Sequence, residues 1–91
     1  MNFEWNKSKA KANFDKHGVS FELAQDVFND PFAIEVLDDR RDYGEARFVI
    51  IGMVEGRILC VVYAERKDAI RIISARRAAK HEQEIYNEDN S

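Results

Sequence analysis

The stretch RFVIIGMVEGRILCVVYAE, residues 47–65, decides the fold. Two apolar runs of strand length flank Glu55-Gly56, which predicts a tight β-hairpin turn, although Glu-Gly suits such a turn less well than Asn-Gly. Both runs are apolar almost without alternation, so they are expected to be central strands with some cover on each face. Downstream, Lys67-Asp68 turns the chain into AIRIISA, residues 69–75, a further strand. Upstream, residues 32–37 read as a strand, joined to the hairpin by the charged segment DDRRDYGEA, residues 38–46. That connection is long for so small a domain and is either a solubilising surface or a contact for a partner.

Local signals predict the rest. Phe3 and Trp5 alternate with polar neighbours as a short strand. Asn6 caps a helix that runs to about His17 and is stopped by Gly18, with Ala10 and Phe14 as its inward stripe. Ser20 caps a second helix carrying Phe21, Leu23, Ala24, Val27 and Phe28 on its apolar side, and Asp30-Pro31 ends it. Residues from about 77 to 87 are helix-permissive, and the final residues are expected to fray. The expected class is α+β, in one domain spanning residues 1–91. An antiparallel β-sheet meander of four strands packs against two N-terminal helices, with a C-terminal helix after it.

A chain of 91 residues, 45% hydrophobic and 34% charged, suits one core. Its longest apolar stretches are strand-sized, so a soluble, unsecreted, cytoplasmic protein without membrane spans is expected. Cys60, the single cysteine, sits inside ILCVVYA and reads as a buried reduced thiol. His17 and His81 have no carboxylate motif beside them, and no glycine-rich phosphate loop or G-x-S-x-G elbow occurs. No metal site and no cofactor are therefore expected. Trp5, Phe14, Phe21, Phe28, Phe32 and Phe48 read as packing residues, whereas Tyr63 and Tyr86 lie near a basic end of the chain.

Net charge is −3 but unevenly placed: residues 1–19 carry +2, residues 20–45 carry −6 and residues 46–91 carry +1. Within the last segment Arg66, Lys67, Arg71, Arg76, Arg77 and Lys80 gather around a hairpin. Guanidinium groups bind phosphate oxygens bidentately, so this is a candidate phosphate or RNA-backbone site, the alternative being a solvated strand end with surface ion pairs. Strict alternation places Arg71 and Arg76 on opposite faces of their strand. A three-residue turn joins Tyr63, Glu65 and Arg71, whereas a two-residue turn pairs Arg66 with Ala69, and both registers stay open. His17 reads either as a helix-end cation or as a general acid or base.

FEW (3–5), NFDKHGVSFELAQDVFNDP (13–31), GEARFVIIG (44–52), VYAER (62–66) and RIISARRA (71–78) together resemble the BrnT family of type II toxins. One departure is Asn6-Lys7, where many relatives carry Asp-Pro; Asn caps a helix comparably. The resemblance implies a RelE-like fold and a ribonuclease that inhibits translation and growth. It also implies a BrnA-like ribbon-helix-helix antitoxin in a 2:2 complex that represses its own operon by binding operator DNA. It puts functional residues at Glu65, Arg66, Arg76 and Arg77, with His17 and Tyr86 carried over as positional matches.

Metal-independent cleavage needs a base for the 2′-hydroxyl, an acid for the leaving 5′ oxygen and cations for the charge on phosphorus. Glu65 is the candidate base, and His17, Lys16 or an arginine-bound water the acid. Arg66, Arg76 and Arg77 are expected to stabilise the transition state, and Lys16, Arg71, Lys80 and Tyr86 to bind RNA. Two other readings use the same surface: a non-catalytic binding module for a partner protein or operator DNA, and an inactive toxin that still binds its antitoxin.

Overall fold

The structure, a computed structural model, describes residues 1–38 and 44–91, so most of the charged segment 38–46 lies outside the described residues. The elements are β1 (Asn2–Glu4), α1 (Lys7–His17), α2 (Phe21–Ala24), β2 (Ile34–Asp38), β3 (Arg47–Val54), β4 (Arg57–Arg66), β5 (Ala69–Arg77) and α3 (Lys80–Asp89). β2 to β5 form the expected antiparallel meander. β1 extends it by pairing in parallel with β5, giving a five-stranded mixed sheet in the order β1-β5-β4-β3-β2.

The capping signals act as read. The Asn6 side chain accepts a hydrogen bond from the Lys9 N–H at 3.0 Å, and Gly18 ends α1 in the left-handed region at φ 71°. Ser20 caps α2 through the Leu23 N–H. α2 is only one turn long and tightens into a 3-10 helix over Gln25–Asn29. That tightening seats the segment on β3 at Gly52, where an added Cβ would lie 2.6 Å from Val27 Cγ2. The β3-β4 turn is the predicted two-residue one, with positive φ at both Glu55 and Gly56.

One face of the sheet buries Ile50, Val54, Leu59, Val61, Tyr63, Ile72 and Ala75 against Val19, Phe21, Ala24 and Val27. On the opposite face Ile51 and Cys60 pack against Tyr86 of α3. β4 is thus central and covered on both sides, as its unbroken apolar run requires. Of the aromatic residues read as packing, Phe14 and Phe32 are exposed instead. In α1 the buried side chain is Asn13, because its amide serves the edge of β5 where β1 has ended. It donates to the carbonyls of Ala75 (2.8 Å) and Val19 (3.0 Å) and accepts from the Ala75 N–H (3.1 Å). This clamp turns position 13, rather than 14, toward the sheet.

Candidate functional site on the open sheet face

The β4-β5 hairpin takes the two-residue register: Arg66 pairs with Ala69, Glu65 with Ile70 and Ala64 with Arg71. Further along, the register shifts between Val62 and Tyr63, so Tyr63 pairs with Ile72 but Val62 pairs with Ser74, leaving Ile73 as an extra residue in β5. A bulge of one residue inverts the alternation beyond it. Arg71, Ser74 and Arg76, opposite Ala64, Val62 and Cys60, consequently lie on one face. This corrects the expected separation of Arg71 from Arg76. Glu65, opposite Ile70, lies on the other face, away from Arg71.

Across the sheet Arg47, Ala64 and Arg71 form one row, because Arg47 of β3 pairs with Ala64 of β4. α1 follows the β5 edge beside this row. A pocket of about 100 Å³ forms there, lined by Asn6, Lys9, Glu45, Arg47 and Arg71. Glu45, the one carboxylate in that lining, lies 3.6 Å from Arg66 Nε across the rim. Lys9 and Ile73 also border a shallower groove, about 360 Å³, that continues past Ser74 to Lys16 and His17. Cations from α1, β3 and β5 therefore share one continuous trough with a carboxylate at one end. Such a trough can hold a phosphodiester backbone and offer a proton acceptor beside one phosphate.

The expected site residues divide between separate places. Arg66, Arg71, Lys16 and His17 border the trough or its rim. Glu65 lines a different depression with Asn2, Asp68 and Ile70, which Arg66 also borders. Arg77 is exposed near Arg57 and Gln83 by the β3-β4 turn, and Lys80 is exposed at the start of α3. Glu65 and Cys60, the partner of Arg76, sit at two levels of β4 roughly 17 Å apart at the usual strand rise. The two ends of the hairpin therefore do not converge on one phosphate.

Arg76 is bound at home. Its guanidinium donates to both carboxylate oxygens of Glu82, at 2.7 and 2.9 Å. Glu82 also accepts from the Ala79 N–H, closing the first turn of α3, and from the Cys60 thiol. The hydrogen bonds from Arg76 are the main reason that the Glu82 carboxyl is lowered from 4.5 to about 2, against the upward pull of burial. A carboxyl depressed in the folded state stabilises the fold above its unfolded pKa and loses that contribution as pH falls through about 4.5 toward 2. The melting temperature of Glu82→Gln should thus fall below wild type at pH 7, and the gap should close as both are titrated to pH 2. A gap independent of pH would show that the carboxylate charge is not what holds α3.

Tyr86 is likewise structural in its contacts. Burial, and then the bond its hydroxyl donates to Asp30 at 2.6 Å, raise it to about 12. For Asp30, burial pulls the carboxyl upward but is outweighed by hydrogen bonds from Tyr86, Met53 N–H and Phe32 N–H, so it ends below its usual value. Tyr63 is buried against Phe28 and Phe48 and donates to Glu35 at 2.7 Å; burial, then that bond, raises its phenol strongly.

Lys9, Glu45 and Arg47 carried no role in the sequence reading. Glu45 and Arg47 lie in the GEARFVIIG stretch that carries the resemblance, which was the available signal; their pairing with β4 is what brings them to Arg71. No helix among the described residues is long and apolar enough to cross a membrane.

Comparison with known proteins adds one match. The family model described as ribonuclease toxin, BrnT, of type II toxin-antitoxin system, matches residues 5–82. The matched span takes in every residue named in the trough. A comparison with curated proteins found no match.

Proposed function

The chain belongs to the BrnT family of ribonuclease toxins of type II toxin-antitoxin systems, and from that premise we propose that it cuts RNA at the pocket where Glu45 meets Lys9 and Arg71. The observation that carries the proposal is that pocket, one carboxylate among cations drawn from three elements on an open sheet face.

In this reading the Glu45 carboxylate takes the proton of the 2′-hydroxyl. The oxygen forms a bond to phosphorus as the bond to the 5′ oxygen breaks, leaving a 2′,3′-cyclic phosphate and a 5′-hydroxyl. Arg71, with Arg66 at the rim, stabilises the charge that builds on the phosphoryl oxygens. Lys9, in the same pocket, protonates the departing 5′ oxygen. His17 lies two turns further along α1, roughly 12 Å from Lys9 at 1.5 Å per residue, so with Lys16 it grips a neighbouring phosphate instead. Glu65, Arg76, Arg77, Lys80 and Tyr86 stay outside the reacting centre. The chemistry runs without a metal, since the substrate supplies the nucleophile.

The rest of the reading follows the family: a RelE-like arrangement, inhibition of translation in the cytoplasm, and a BrnA-like antitoxin that forms a 2:2 complex repressing the operon. The meander with α1 and α2 on one face and a partly open second face supports the RelE comparison.

The test uses purified chain, EDTA and an RNA oligonucleotide alongside a copy with 2′-deoxy sugar at the cleaved nucleotide. Cleavage of the first to a cyclic phosphate, with none at the modified site in the second, is expected. Equal cleavage of both would remove the 2′-hydroxyl from the mechanism. Loss of cleavage in EDTA that added metal restores would remove the metal-free step.

A further inference from the structure

At the opposite end of β3 from Glu45 and Arg47, roughly 24 Å away at strand rise, one groove has the reverse character, beside the surface that carries Arg57 and Arg77. A groove of about 560 Å³ runs between the 3-10 helix, the β3-β4 turn and α3. Its charged lining is Asp26, Asp30 and Glu55, with no lysine or arginine. Its apolar lining includes Phe32 and Met53, which are 60% and 42% exposed, and the ring of Tyr86. Asp30 has its oxygens taken by Tyr86, Met53 and Phe32, so Asp26 and Glu55, both exposed, are the carboxylates that face solvent.

We infer that this groove is the docking site of the antitoxin, which enters with an apolar side chain flanked by lysine or arginine. The inference rests on the family reading for the existence of that partner, and on charge and shape for the place. The charged side chains of the groove, Asp26, Asp30 and Glu55, are all acidic, which disfavours a phosphate backbone and favours a basic segment of a partner. Phe32 and Met53 supply the apolar anchor that ion pairs at a rim do not. Docking here holds the antitoxin at the end of the sheet away from the trough, so anchoring and occlusion of the trough use different parts of the partner.

Glu55 gives a clean test because it occupies a positive-φ turn position (φ 50°) that asparagine fits better. Glu55→Asn should keep or raise the melting temperature of the chain while weakening binding to purified antitoxin. The double variant Asp26→Lys, Glu55→Lys should weaken it at least tenfold, leave cleavage of RNA by free toxin unchanged, and be rescued by reversing a cation in the antitoxin. Wild-type affinity in both variants would overturn the inference. A change in self-association of the free chain with antitoxin affinity intact would assign the groove to a second copy and also overturn it. Failure of wild-type chain itself to bind antitoxin would instead count against the family reading.

Discussion

Arg71→Ala is expected to lower RNA cleavage by about 10²–10³-fold, the usual cost of removing one preorganised donor to a developing oxyanion. Arg71 owes its position to the two-residue turn that pairs it with Ala64, which sets it in the row with Arg47 and beside Lys9. It is half-buried at the surface of the sheet and not part of either apolar cluster, so the variant should unfold at the same urea concentration as wild type. Arg71→Lys should recover part of the rate, since an ammonium supplies charge without the bidentate fork. Arg77→Ala serves as the control: it removes an equal charge from the far end of β5 and should cost little. Comparable losses in both variants would mean that overall charge, rather than this pocket, governs turnover.

Asn13→Asp should be strongly destabilising. The amide nitrogen donates to two carbonyls while its oxygen accepts from Ala75 N–H, all inside the α1-β5 contact. A carboxylate keeps the acceptor, loses both donated bonds and sets a charge against the Val19 and Ala75 oxygens. An unsatisfied buried polar group costs about 1–3 kcal/mol, more when charged, so a loss of at least ~3 kcal/mol is expected. That is a large part of the 5–15 kcal/mol typical of a domain. Asn13→Ala should lose less, about 2 kcal/mol or more. Hydrogen exchange at the Ala75 amide should quicken in both, and urea midpoints should fall in the same order. An unaltered midpoint in Asn13→Asp would show that the clamp is not what fixes α1, and with it Lys9, Lys16 and His17, beside the trough.

What the chain spells locally, it spells clearly. Asn6, Gly18 and Ser20 are caps whose partners lie within a turn, Glu55-Gly56 is a turn by its own dihedral demands, and unbroken apolar runs announce central strands. The functional face depends on contacts distant in sequence. Nothing in AIRIISARR marks Ile73 as a bulge, for it holds neither glycine nor proline, yet that one residue decides which arginines share a face. Strict alternation accordingly put Arg71 and Arg76 apart. Asn13 reaches a backbone 62 residues away, and Glu82 captures Arg76 across the start of α3, so neither bond has a periodic signature. Glu45 carries no local signal, since it falls in a charged segment and the pairing of β3 with β4 is what brings its neighbour Arg47 into the row.

Whether RNA is cut on the Glu45 side of β4 is decided by one comparison. Initial rates of RNA cleavage in EDTA by Glu45→Gln and Glu65→Gln, measured beside wild type with matched thermal stability, should separate the two faces. A loss of about 10²–10⁴-fold is expected for Glu45→Gln, the range of general-base catalysis, with near wild-type rates for Glu65→Gln. A large loss in Glu65→Gln with Glu45→Gln unaffected would contradict that expectation and move the reaction to the other face of the strand.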